Sequence, residues 1–411
     1  MKTYKERHQE LYEPLRQEGI FTWDSMYGQE YALASYHLIS PSFFEEIRYA
    51  TEQLALIFEK TVKIVRSGED ELLRELSIPQ AAFRAVRHAP IDLLTSIGRF
   101  DFAPTADGLK LLEFNSDTPT GIVEAYYVNG WICSRLGLED PNAGMVNHLR
   151  DAFQQIVSAY KKVGYSTENI VFSSLGWHEE DRGTTEFLRQ VSELPARFVP
   201  LDDLRLVEDS LCAQVGQELV PIDIWYRLHG LEILAEERDP TGFPTGERVL
   251  ELIADGKLGV INPPGALLAQ TKALQALIWN LYEEDIFFTE DEKRIIAKYM
   301  LPTYLDNLFK GSTPYVTKPV FGREGGAVTL YDKDGNIEQR DSEDLYWEQP
   351  MIYQKRVEME IIEVETAKGL FRGHLLWGSF WVNRQSSAIL ARVDGPITGN
   401  MSYYLPVGIH K

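Results

Sequence analysis

The sequence predicts a mixed α+β and α/β chain whose lobes share one cleft. Three observations carry that expectation. Residues 1–90 show mostly helical periodicity, short apolar runs alternate with helical ones from about residue 168, and the stretch after residue 312 reads as antiparallel strand. No Pro/Gly/Ser-rich linker separates these textures, so packed lobes fit better than beads on a string. The approximate lobes are 1–160, 161–270 and 271–411, within a single unit. The chain has 411 residues, 44% apolar and 11% aromatic, which is ample for a large core and excludes wholesale disorder.

Taken in order, "SFFEEIRYATEQLALIFEKTVKIVR" repeats apolar residues at three- and four-residue spacing. That is one helix face, with Ser42 as the expected cap and Glu45 three residues on. "SIPQAAFRAVRHAPIDLL" reads as a short helix leading into sheet. "SIGRFDFAPTADGLKLLEFN" is a hairpin pattern, with Phe100 and Phe102 alternating with Arg99, Asp101 and Ala103 around the turn "PTADG". Pairing Phe102 with Lys110 sets Arg99 opposite Glu113 and Asp101 opposite Leu111. Any even-with-even pairing leaves Arg99, Asp101, Glu113 and Asn115 on one face. "ENIVFSSLG" is a strand and loop, and "TTEFLRQVSEL" is a helix. "ARFVPLDDL" and "IDIWYRLHGLEIL" suggest further strands, and "GALLAQTKALQALIWNLYEE" a helix. The remainder, from "STPYVTKPVFGREGGAVTLYD" through "FRGHLLWGSFWVNRQSSAILAR", reads as antiparallel strands. There is no internal repeat.

Composition removes several classes of function. No apolar run approaches the roughly 18 residues of a membrane span. The opening "MKTYKERHQELYEPLRQEG" lacks an apolar signal core, so a cytoplasmic location is expected. Cys133 and Cys212 form no C-x-x-C pair, which argues against a zinc ribbon or redox motif and fits a reduced compartment. A net charge of −21 disfavours nucleic acid and would steer a cationic small molecule inward, although many acidic proteins are simply soluble. Neither membrane nor nucleic acid is an expected partner, and no pattern specifies an oligomeric state.

Three segments carry chemistry. In "KLLEFNSDTPTGIVEA" a carboxylate and an amide leave an apolar strand for a loop rich in hydroxyls. With Asp101 across the hairpin, Glu113 and Asn115 offer hard oxygen ligands suited to Mg²⁺, and Arg99 adds a cationic fork for a phosphate or carboxylate. The other reading is a solvated face with an Arg–Glu cross-strand pair. "VTKPVFGREGGAVTLYD" reads strand, Gly-rich loop, strand. Gly322, Gly325 and Gly326 permit close backbone approach to phosphates, with Lys318 just before them. It is not a Walker A loop, and a plain glycine-rich hairpin with a charged tip fits the segment as well. In "SSLGWHEEDRGTTEFL", Glu179 and Glu180 follow a strand, where α/β proteins bind ligands. They could hold an ammonium, or simply complement a helix dipole. His178, His229 and His374 form no H-E-x-x-H pattern, and no G-x-S-x-G elbow occurs.

Together, "GRFDFAPTADGLKLLEFNSDTPTGIVEA", "KPVFGREGG" and "ILARVDG" resemble the synthetase portion of the glutathionylspermidine synthase family in order and separation. Weaker agreement at "WHEED", "YRLHGLE" and "QTKALQALIW" extends the resemblance over most of the chain from about Leu94. The hairpin is its most specific part. The resemblance implies an ATP-grasp fold in which ATP phosphorylates a peptide carboxylate and an amine displaces the phosphate to form an amide. By position, it implies Asp101, Glu113 and Asn115 as Mg²⁺ ligands and Arg99 as the residue stabilising the transferring phosphoryl group. It implies Lys272, Lys318 and the Gly322 and Gly325 loop as ATP contacts, with Gln354 at the adenine-side hinge. Thr118 lies where the acyl phosphate forms. Thr120, Glu180 and Arg392 fall at peptide-substrate positions, and Glu179 at an amine-binding one. The substrates so implied are a small peptide-like acid and a small amine.

The sequence also departs from the family. Residues before Arg99 are too few for the amidase domain of bifunctional members, so that domain is expected to be absent. Leu228 stands where glutathione-using members place a hydroxyl, and Glu324 replaces a small or thiol residue. Both departures bear on the substrates and leave the ATP chemistry untouched. Two other functions suit the same scaffold, a binding protein that has lost turnover and a kinase-like phosphotransferase with an alcohol acceptor. The joint presence of Asp101, Glu113, Asn115, Lys272 and Lys318 argues against the first.

Overall fold

The computed structural model describes residues 2–342 and 345–410. The long helix Pro41–Ser67 is capped by Ser40, not Ser42. Pro41 suits the first helical position because its fixed φ is already helical and its missing N–H would be unpaired there anyway. The Ser40 hydroxyl then accepts the Phe43 N–H at 3.1 Å. Ser42 only shares a hydroxyl contact with Ser40.

That helix backs the antiparallel sheet that carries the hairpin. Strands run in the order Tyr403–Leu405, Gln385–Asp394, Gly369–Val382, Ile97–Thr105, Gly108–Asn115, and Ile361–Thr366 also pairs with Gly369–Val382. The hairpin register differs from the expected one. Thr105 pairs with Gly108 and Phe102 with Leu111, so the turn joins odd to even. The register then shifts, and Asp101 pairs with Glu113 and Arg99 with Asn115. Leu112 is the extra residue, a β-bulge that re-aims the side chains beyond it. The bulge restores odd-with-odd pairing where the polar residues lie. The even residues face the other way. Phe100 and Phe114 stack at 3.8 Å between centroids, and both meet Phe58 of the long helix edge-on.

The middle of the chain forms a parallel sheet in the order Gly259–Ile261, Ile224–Arg227, Ile170–Ser173, Ala196–Phe198. The helices Val146–Lys162, Glu179–Val191 and Thr245–Ala254 accompany it. A third, antiparallel sheet runs Thr303–Tyr304, Met351–Lys355, Tyr315–Pro319, Thr329–Tyr331, Ile337–Arg340, with the Gly-rich loop joining its third and fourth strands. The helix expected over "GALLAQTKALQALIWNLYEE" is two helices, Ala266–Gln270 and Ala273–Glu283. Thr271 between them is extended, and the Lys272 N–H bonds to Val320 O at 2.9 Å instead of continuing the helix. No described helix is long and apolar enough to cross a membrane.

Candidate active site

The hairpin face, the Lys272 break and the Gly-rich loop line one cleft of about 350 Å³. Arg99 grips Asp101 with two parallel bonds, Nε to Oδ1 at 2.6 Å and Nη2 to Oδ2 at 2.9 Å. Its Nη1 donates to Thr120 O at 2.6 Å. Arg392, from the strand Gln385–Asp394, adds a 2.8 Å bond to Asp101 Oδ2. Glu113 pairs with Lys272 at 2.9 Å and accepts the Asn115 amide at 3.2 Å. Lys318 donates to Gln354 Oε1 at 2.8 Å and to the carbonyl of the bulge residue Leu112 at 3.3 Å.

The charges shape one another. Burial pushes the Glu113 carboxyl up, but Lys272 and Lys318, with the bonds from Lys272 and Asn115, outweigh it and hold it at about 2. Burial drags Lys318 down to about 8, helped by Lys272 and opposed by Glu113 and Asp101. Burial also works against the Arg99 charge, and Asp101 more than restores it. Arg99, Arg392, Lys272 and Lys318 thus surround Asp101 and Glu113, and the surplus positive charge suits an anion such as a phosphate.

Asp101, Glu113 and Asn115 bring two carboxylates and an amide to one face, a donor set of hard oxygens that fits Mg²⁺. No group of three His, Cys, Asp or Glu suited to a metal occurs among the described residues, so the amide is needed to complete the set.

The loop after the hairpin is held from below. Asp117 accepts both Arg227 Nη groups, at 2.6 and 3.0 Å, and the Leu231 N–H at 3.1 Å. Gln270 Oε1 accepts the N–H groups of Ser116 and Asp117, and Asn262 Nδ2 donates to Asp117 O at 2.7 Å. Thr118 and Thr120 consequently face the cleft. Sequence reasoning missed this scaffold. Its one signal was an arginine closing the apolar run "IDIWYR".

Gly322 and Gly325 line the cleft. Gly325 has φ +71°, and a Cβ there would lie 2.2 Å from Thr398 O, so the position needs glycine twice over. Arg323, also missed, reaches Glu232 at 2.5 Å and ties the Gly-rich loop to the parallel-sheet lobe. Gln354 is turned inward, its amide engaged by Lys318 and by Thr303 at 3.1 Å. Glu179 and Glu180 do not line the cleft, whereas their neighbour Asp181 does. The Thr22 hydroxyl draws Glu179 towards the N-terminal segment, and Glu180, on the first turn of Glu179–Val191, is buried.

A glycine-rich loop beside Lys318 on an antiparallel sheet and Lys272 at a helix start, facing a polar hairpin, is the arrangement of an ATP-grasp fold. A glutathione synthetase-like effector from Globodera pallida shares the fold over 100% of this chain and 98% of its own, with a TM-score of 0.63 and 12% identity. The family profile described as glutathionylspermidine synthase preATP-grasp matches residues 2–410, so the chain belongs to that family. A Haemophilus influenzae protein provisionally named an acid–amine ligase is 25% identical over 320 residues, covering 75% of this chain and 73% of that protein. The bifunctional glutathionylspermidine synthetase/amidase of Escherichia coli is 23% identical over 364 residues, covering 78% of this chain. The chain spans only 51% of that enzyme's length.

Proposed function

We propose that this protein is an ATP- and Mg²⁺-dependent carboxylate–amine ligase. It joins a small peptide-like, glutathione-like acid to a polyamine-like amine through an acyl phosphate. The observation that carries this reading is the meeting of Arg99, Asp101, Glu113, Asn115, Lys272 and Lys318 in one cleft beside the Gly-rich loop. Its family membership supports the same chemistry.

Asp101, Glu113 and Asn115 would hold the metal. When bound, the ion neutralises phosphate oxygens and orients them for transfer. Lys272 and Lys318 bind the nucleotide phosphates as point charges. Gln354 acts on the nucleotide through Lys318, whose ammonium it positions. Leu301, Val316, Leu330 and Leu376 give the cleft apolar wall for the base. The acid carboxylate lies by Thr118, Thr120 and Arg392, and its oxygen attacks the γ-phosphorus as the bond to ADP breaks. Arg99 stabilises charge on the transferring group. The amine nitrogen then attacks the carbonyl carbon, the C–O bond to phosphate breaks, and the departing phosphate takes the proton that the nitrogen sheds.

Screening peptide–amine pairs for amine-dependent ADP release, with mass spectrometry of products, tests the proposal. ADP, phosphate and an amide are expected. A phosphoester product would replace the ligase with a phosphotransferase. Nucleotide binding without turnover on any pair would replace it with a binding protein.

A further inference from the structure

Two loops that line the cleft are fastened to one short segment, residues 227–232. The first is the loop after the hairpin. Arg227 holds its Asp117, and Asp117 Oδ2 also accepts the Leu231 N–H at 3.1 Å. The second is the Gly-rich loop, whose Arg323 Nη2 donates to Glu232 Oε1 at 2.5 Å. The two fastenings are therefore one residue apart, at Leu231 and Glu232. Lys272 holds the base of the Gly-rich loop as well, through Val320 O and Gly322 O. Lys272 lines the cleft, however, whereas Gly230 and Glu232 do not.

The fastening at Glu232 is shaped around Arg323. Glu232 is 9% exposed and its Oε2 is buried with no partner. Among the described residues, Arg323 is the one side chain that pairs with it. Burial works against the Arg323 charge, and Glu232, followed by Asp117, leads the charges that restore it. Gly230 makes the room. Its φ of −62° and ψ of 138° are open to any residue, so conformation does not call for glycine there. Contact does. A Cβ would lie 2.2 Å from Arg323 Nη2 and 2.7 Å from both Glu232 carboxylate oxygens.

We propose that Glu232 is a positioning residue that locks the Gly-rich loop and the 116–120 loop in one register. Buried ion pairs are weak net stabilisers, and fixing register is their best-attested use. The purpose of the lock rests on the ligase reading, in which the first loop carries the nucleotide and the second the acid. One segment then holds the acid carboxylate and the γ-phosphate in line for transfer, where small misplacements are costly.

The test uses the whole protein without nucleotide. Glu232→Gln removes the charge, and Gly230→Ala displaces Arg323 with both charges kept. Glu71→Gln, in an exposed pair with Arg74, is the control. Hydrogen exchange is followed across 322–326, 116–120 and the helix Val146–Lys162. Both variants should exchange about tenfold faster across 322–326 and about threefold or more faster across 116–120. The helix should keep its wild-type rate, and the control should match wild type throughout, which marks local release instead of loss of the whole fold. Wild-type exchange across 116–120 in variants whose 322–326 loop has loosened overturns the lock and leaves Glu232 a simple tether. Wild-type exchange in both loops overturns it too, and so does equal acceleration of the helix. A separate ADP–Mg²⁺ titration of wild type bears on the ligase reading alone. Failure to bind ADP overturns that reading, while the exchange without nucleotide still decides the lock.

Discussion

Asp117→Asn removes one charge and almost no volume, yet it should be among the most damaging single changes in the protein. Asp117 and Arg227 are both 0% exposed at their side chains. The carboxylate takes two guanidinium bonds and one backbone bond, and Arg227 Nε has no partner even in the intact pair. An asparagine must turn its NH₂ group towards either Arg227 or the Leu231 N–H, setting donor against donor. Removing one partner of a buried ion pair costs about 3–5 kcal/mol, against roughly 0–1 for an exposed pair. The loop bearing Thr118 and Thr120 hangs from this pair, so amine-dependent ADP release should fall with stability. ADP affinity should hold, because Lys272, Lys318 and the Gly-rich loop stand on other elements. Equilibrium urea unfolding followed by circular dichroism gives the loss. The double variant Asp117→Asn/Arg227→Met should recover much of it, since no buried charge is then left alone. A single variant within about 1 kcal/mol of wild type, or a double variant as unstable as the summed singles, refutes the reasoning.

Glu113→Gln should lower amine-dependent ADP release by roughly two decades or more, the loss expected when a principal electrostatic group is removed. Wild-type turnover by a folded variant would leave Glu113 an ordinary strand-end acid. Lys318, held at about 8, loses its charge as pH rises, so ADP affinity should weaken above that pH in wild type and stay level in Lys318→Arg. The unfolded lysine titrates near 10.4, so the unfolded state binds more protons between these values. The Lys318 contribution therefore makes stability rise with pH across that window, which urea unfolding at pH 8 and 10 can follow. Gly325→Ala should disturb the contact with Thr398 and weaken nucleotide binding, and hydrogen exchange across 322–326 should slow on adding an ATP analogue to wild type. Exchange unchanged by the analogue counts against a lid.

The polar face of the hairpin was legible because strand side chains alternate with period two. Its register was not, because the Leu112 bulge leaves no local mark. The bulged carbonyl meets Lys318 from another sheet, a contact set by tertiary structure. The helix break at Lys272 was hidden for a similar reason. "GALLAQTKALQALIW" keeps helical periodicity throughout, and the interruption comes from Thr271 bonding to Leu76 O and Lys272 bonding to Val320 O. The Ser40 cap was legible in kind and misplaced by two residues, for want of weighing Pro41. The Asp117–Arg227 pair joins distant parts of the chain, and no periodicity reports such a partnership. The Glu179 and Glu180 loop showed its acidity but not its depth, since exposure depends on Thr22 and Trp23 packing from the N-terminal segment.

The strand Ile97–Thr105 has Gly108–Asn115 on one side and Gly369–Val382 on the other. During synthesis the hairpin leaves the ribosome well before Gly369–Val382 does, and it waits as an open edge until that strand has emerged. A nascent chain halted before residue 369 would already contain Arg99, Asp101, Glu113 and Asn115, but neither the strand that holds them nor Arg392. Such long-range pairing is slow to form and leaves an unpaired edge exposed meanwhile. Phe100 and Phe114 offset that hazard in part, because Phe58 is made earlier still and can cover their apolar side first. Products halted before residue 369 should therefore be inert, and chaperone demand should last until Gly369–Val382 has been made.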